Sequence, residues 1–171
     1  MKIPVIFSTI TGNAYKLASA VSEVIDNHIG PYNIFYINQE VIDKFDVFVL
    51  TYWCDKGSVD PETMKLLSMM KGKKIVILGT LGAAMNSKHA EAVKLNVEKL
   101  VKKDNELLGN FLCRGSIDLA RTAQKLSIPE GEKGHLPLER FLKQHESLGH
   151  PNALDLRHAQ EFVIDALKEY C

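Results

Sequence analysis

The sequence predicts an α/β fold, a single three-layer sandwich in which a five-stranded parallel sheet of order 2-1-3-4-5 carries helices on both faces. Three observations lead there. Short continuous apolar runs, the look of strands covered on both sides, alternate with amphipathic helical patterns along the chain. Strand-to-strand connections through helices are right-handed and pack back on the sheet, so regular alternation favours parallel strands with helices on both faces. Between the first apolar run and the first helix lies a hydroxyl-rich turn, Ser8-Thr9-Ile10-Thr11-Gly12-Asn13-Ala14. Such a turn after strand one suits the doubly wound order whose switch point lies between strands one and three.

The elements follow in order. Ile3 to Phe7 is the first strand, and Ala14 to Ile29 the first helix, with Leu17, Ala18, Val21, Val24 and Ile25 at helical spacing and Gly30-Pro31 as its stop. Tyr32 to Ile37 reads as strand two. After a polar connection, Asp46 to Tyr52 is strand three, and the loop Trp53 to Asp60 leads to a helix from Pro61 to about Met70 with Asp60 as N-cap. Lys74 to Gly79 forms strand four. The loop Thr80 to Asn86 precedes a helix from near Ser87 to about Lys103, and Glu106 to Cys113 is a fifth strand interrupted by Gly109 and Asn110. A last helix starts after Pro151, capped by Asn152, with Leu154, Leu156, Ala159, Phe162, Val163, Ala166 and Leu167 available for burial. The connection from about 114 to 152 is too long for bare loop; Ile117, Leu119, Ala120, Ala123 and Leu126 suggest one short helix and Leu138, Phe141 and Leu142 another, serving either as packing beside strand five or as a lid or docking surface beside a binding site.

Composition narrows the function classes. The 171 residues suit one domain, and Lys plus Arg equal Asp plus Glu at 21 each, so no net field attracts nucleic acid or an anionic membrane. The apolar runs are too short to span a bilayer. Met1-Lys2-Ile3-Pro4 enters a strand-like run without the parts of a signal peptide, so the expected location is the cytoplasm. The 3 cysteines and 6 histidines have no metal-binding spacing, and neither a metal site nor a disulfide framework is expected.

The turn after strand one has the chemistry of a phosphate cradle. Backbone N–H groups at a helix N-terminus lack intrahelical partners and carry the positive end of the macrodipole. Gly12 allows close approach of the main chain, and Thr9, Thr11 and Asn13 add hydrogen-bonding groups. The lysine of a triphosphate-binding loop is missing, which favours a phosphomonoester. The doubly wound order brings the loops Ser8 to Ala14, Trp53 to Asp60 and Thr80 to Asn86 to one sheet edge. Trp53, the single tryptophan, sits where a strand ends, and serves there either as a cover for the core or as a stacking platform.

Those three loops together resemble the flavodoxin family, whose phosphate loop reads T-x-T-G-x-T. The match here is Thr9-Ile10-Thr11-Gly12-Asn13-Ala14, with Ala14 replacing the last threonine. The resemblance implies flavin mononucleotide (FMN) as cofactor, its phosphate held by Thr9, Ile10, Thr11, Gly12, Asn13 and Ala14. Tyr52 and Trp53 match the place of an aromatic ring against the isoalloxazine. Cys54 takes the place of a glycine whose peptide rotates toward flavin N5, and Asp55-Lys56-Gly57 offers a substitute in the same loop. Thr80, Leu81, Gly82 and Met85 fall in the loop that covers the second flavin face, without the tyrosine often found there.

Three functions follow from this reading. The first is an FMN-binding electron carrier between a reductase and an acceptor enzyme, which needs no catalytic acid, base or nucleophile of its own. The second is an FMN-dependent NAD(P)H oxidoreductase of the quinone-reductase type, favoured by the missing second aromatic. The third is an accessory protein of the same fold with weak or no FMN binding, to which Ala14 and Cys54 point.

Overall fold

The computed structural model describes residues 1–171. Five parallel strands form the sheet: β1 (Ile3–Phe7), β2 (His28–Asn33), β3 (Val47–Asp55), β5 (Lys74–Leu81) and β6 (Glu106–Arg114), in the order β2-β1-β3-β5-β6. A two-residue strand, β4 (Ser58–Val59), pairs antiparallel with the end of β3. Without β4 the order is the expected 2-1-3-4-5.

Period-two alternation assigns the core. Phe48, Leu50 and Tyr52 of β3 and Ile75 and Ile77 of β5 point to one face, where α3 (Pro61–Met69) and α4 (Lys88–Lys102) cover them with Leu66, Val93 and Val97. Val47 and Val49 of β3 and Val76 and Leu78 of β5 point to the other, covered by α1 (Asn13–Ser22) and α7 (Ala153–Ala166) through Leu17, Val21, Ala159 and Val163. Three of the helix starts are set by side-chain caps, two of them, Asp60 and Asn152, expected from the sequence. Asp60 caps α3, Ser87 caps α4, and Asn152 caps α7 in a reciprocal box with Asp155.

Several boundaries differ from expectation. The first helix ends at Ser22, and Gly30-Pro31 lies inside β2. An edge strand pairs on one side only, which is why a proline is tolerated there. The run expected as strand two over Tyr32 to Ile37 turns into a 3-10 helix at Ile34–Tyr36, because the Asn33 side chain accepts from the Phe35 N–H at 3.1 Å. The polar connection after it holds a short helix, α2 (Gln39–Asp43), capped by Asn38. In α7, Leu154 is exposed while Ala159 and Val163, with Leu167 at its C-cap, are buried. The long connection contains α5 (Leu119–Ala123), a 3-10 turn at Gln124–Ser127 and α6 (Leu138–Gln144), close to the predicted helices. No helix is long and apolar enough to cross a membrane, and no group of three or more His, Cys, Asp or Glu side chains is placed to hold a metal ion.

Candidate functional site

The turn between β1 and α1 presents a row of free donors. Gly12 is the N-cap, at φ 96°, and having no side chain it makes no cap hydrogen bond. A residue with a Cβ is strained at that angle. The Gly12 N–H donates to Thr9 Oγ1 at 3.0 Å, which folds the turn. The N–H groups of Ile10, Thr11, Asn13, Ala14 and Tyr15 have no acceptor within the chain, and the first intrahelical bond runs from Lys16 N–H to the Gly12 carbonyl. Helices α2, α3, α4, α5 and α7 have a side-chain cap on their first turns; α1, like the short α6, has none and leaves its positive end open.

Two residues of this turn play other parts than expected. The Asn13 side chain donates to the Ser116 carbonyl at 2.9 Å, so its amide ties the turn to the long connection, and only its backbone N–H faces outward as a donor. Ala14 is buried, and its carbonyl accepts from Thr51 Oγ1 at 2.8 Å, which fixes α1 on β3.

Strand alternation separates Tyr52 from Trp53. Tyr52 is fully buried on the α3/α4 face, and its ring lies directly over Gly79, its register partner on β5. The Tyr52 hydroxyl has no hydrogen-bond partner. Tyr52 is therefore a core residue and not a stacking ring. Trp53, one position on, lies on the phosphate-turn side and lines a cleft of about 390 Å³ with Ile10, Thr11 and Cys54.

Beyond Cys54 the chain reverses in a two-residue hairpin, with Lys56 at φ 48° and Gly57 at φ 80°, the left-handed pair that a tight antiparallel turn requires. The Gly57 carbonyl accepts from Asn96 Nδ2 of α4 at 2.9 Å. The turn leans on α4, so Asp55, Lys56 and Gly57 do not line the cleft, contrary to the sequence expectation. Burial pushes the Cys54 thiol above its ordinary value, partly offset by the backbone N–H groups of Gly57 and Ser58, so at neutral pH it is a protonated wall group.

The third loop contributes Thr80, Leu81 and Gly82, which line a smaller adjoining recess of about 120 Å³ together with Thr11, Asn13 and Trp53. Met85 instead packs against the α3/α4 core and is absent from the cleft. What closes this side is the long connection. Ile117 lies against Gly82, where a Cβ would come within 2.5 Å of it. Ser116 donates from N–H and from Oγ to the His150 carbonyl, both at 2.7 Å, and the Ile117 N–H donates to the buried Ser147 Oγ at 2.9 Å. Ile117, Asp118, Arg121, Thr122 and Lys125 thus form the far wall of the cleft. None of these five was expected from the sequence as a site residue, although the excess length of the connection marked it as a candidate cover beside the site.

A sequence model of the flavodoxin domain matches residues 4–164. A flavodoxin-like domain-containing protein, BilS, of Clostridioides difficile (strain CD3) is 30% identical over 95% of this chain and 94% of its own. Among solved structures, an archaeal flavodoxin superposes with a TM-score of 0.60 at 12% identity over 99% of this chain and 98% of its own. A flavoprotein of Lactobacillus acidophilus NCFM, solved in complex with FMN, superposes with a TM-score of 0.50 at 11% identity over 65% and 92%. Those two structural likenesses bear on the fold, and the sequence matches on descent: the chain belongs to the flavodoxin family.

Proposed function

We propose that this protein binds FMN in the cleft between Trp53 and the 117–125 wall and carries electrons between a reductase and an acceptor enzyme. The observation that carries the reading is the open first turn of α1, whose N–H groups at Ile10, Thr11, Asn13 and Ala14 find no acceptor in the chain. Such a nest suits the dianion of a phosphomonoester. The donors fit FMN: Thr11, exposed at the mouth of the turn, adds a hydroxyl, and Trp53 offers a ring face in the adjoining cleft. When bound, FMN supplies the redox chemistry. The chain's own groups would bind the phosphate, stack on the ring system and exclude water from one side.

A carrier is favoured because the cleft holds no matched acid and base. Its ionisable lining is Cys54, kept protonated by burial, and the exposed Asp118, Arg121 and Lys125. Titration of the flavin-free chain with FMN and with riboflavin, followed by Trp53 fluorescence, tests the reading. FMN is expected to quench at lower concentration than riboflavin; no quenching at micromolar FMN would leave the accessory-protein reading. Met85 packs in the core and the third loop itself places no aromatic side chain in the recess, which supports the NAD(P)H oxidoreductase as a second reading. Rapid bleaching of the bound flavin by NADPH alone would select it.

A further inference from the structure

We infer that the cleft mouth is a docking surface for an acidic redox protein, with Ile10 as apolar anchor and Arg121, Lys125 and Arg140 as steering charges; this rests on the electron-carrier reading. The cleft shares Ile117 with a neighbouring opening of about 430 Å³ between Gly82 and α6. Together these openings are lined by the cations Arg114, Arg121, Lys125, Arg140 and Lys143 against two carboxylates, Asp118 and Glu146. Glu146 pairs with Arg114 at 3.7 Å and Glu139 with Lys143 at 3.1 Å. Arg121, Lys125 and Arg140 have no carboxylate partner, and all three are exposed. Glu130 and Glu132 lie on the turn between α5 and α6 and line neither opening.

A positive rim on a chain of zero net charge gives the molecule a charged end facing its cleft. Local fields of this kind steer encounter and select partners by sign. At the centre, Ile10 is 59% exposed at the tip of the phosphate turn, next to Trp53 in the cleft lining. An apolar centre inside a charged, hydrated rim is the anatomy of a transient protein interface. The free cations stand on separate elements, α5, the following 3-10 turn and α6, around two openings. That spread matches a macromolecular surface better than one small anion.

The test uses an acidic plant-type ferredoxin as probe, added to 15N-labelled, FMN-treated protein at low salt. Amide shifts are expected to cluster at Ile10, Trp53, Ile117, Arg121, Lys125 and Arg140, and to vanish at about 0.3 M salt, where the Debye length is near 6 Å. The combined substitution Arg121→Glu, Lys125→Glu, Arg140→Glu should weaken ferredoxin binding about tenfold or more and create binding to basic cytochrome c. Shifts spread elsewhere, no shifts at all, or salt-independent binding in the unsubstituted protein would overturn the proposal. The same titration of the flavin-free chain separates the two readings. A chain that takes up no FMN yet shows the clustered shifts keeps the surface and loses the carrier. FMN uptake without ferredoxin shifts overturns the surface alone.

Discussion

Ser8 Oγ donates a 2.7 Å hydrogen bond to Asp60 Oδ1, and this buried pair joins the start of the phosphate turn to the start of α3. Asp60 also accepts from the N–H groups of Glu62 and Thr63, each at 3.1 Å, and from Thr63 Oγ1 at 2.7 Å. One carboxylate therefore caps a helix and holds the turn that would bind phosphate. Replacing it leaves those donors unpaired, at about 1–3 kcal/mol for a buried one and less for the part-buried Glu62 N–H.

Asp60→Ala should accordingly cost roughly 3 kcal/mol of stability and Ser8→Ala about 1 kcal/mol, read from urea unfolding. The two should be non-additive, because Ser8 loses its partner in either case. Additive losses would show that Ser8 and Asp60 act independently and would remove the link between α3 and the turn.

Thr11→Val keeps the shape of the side chain and removes its hydroxyl at the mouth of the open α1 turn. If Thr11 reads the phosphate, the dissociation constant for FMN should rise about tenfold while that for riboflavin barely moves, a loss of about 1.4 kcal/mol. Equal weakening of both ligands would put Thr11 against the ring system or ribityl chain instead.

The Gly82–Ile117 contact sets the width of the cleft. A Cβ at position 82 would stand 2.5 Å from Ile117 Cγ1 and 2.6 Å from Cδ1, while the Ile117 backbone is held by Ser147. In Gly82→Ala the Ile117 side chain must swing toward the cleft, costing about 1–3 kcal/mol in stability and weakening FMN binding. Adding Ile117→Ala should restore both. A double variant that binds FMN as poorly as Gly82→Ala alone would mean that Ile117 is not what blocks the site.

The sheet and its switch point were legible because four apolar runs, at β1, β3, β5 and β6, and the N-caps Asp60 and Asn152 are local signals, whereas β2, with Gly30-Pro31 inside it, overlaps the expected run only at Tyr32 and Asn33. The phosphate turn was legible for the same reason: Gly12 at positive φ and the uncapped α1 follow from a short stretch of chain. The other sides of the site were not. Whether Tyr52 or Trp53 faces the cleft depends on strand phase relative to Gly79 across the sheet, and periodicity alone does not fix that phase in a strand apolar on both faces. The Asp55 to Gly57 turn is drawn toward α4 by Asn96, a contact between residues about forty apart. The 117–125 wall depends on Ser147 and His150 anchoring Ser116 and Ile117, which sequence patterning does not register.

Two buried groups make stability fall at alkaline pH. Burial, with a smaller contribution from the Asp155 charge, pushes the Cys113 thiol from 9.0 up to about 12. Below pH 9 both the folded and the unfolded chain hold this proton, and the thiol adds no pH dependence. Between pH 9 and 12 the unfolded chain releases it while the folded chain retains it, so stability drops by up to about 1.4 kcal/mol per pH unit. Tyr52, also shifted upward by burial, adds a loss of the same sign above pH 10. Urea midpoints measured from pH 7 to 10.5 should fall above pH 9, and Cys113→Ala should make that fall shallower. Part of the slope will remain, because Cys54 and Cys171 are shifted in the same direction. Tyr52→Phe should change little at pH 7, since the hydroxyl it removes has no partner in the fold, and should flatten the curve above pH 10. An unchanged slope in Cys113→Ala would mean that the thiol ionises in the folded protein as readily as in the unfolded chain, and that the β6–α7 contact around it admits water.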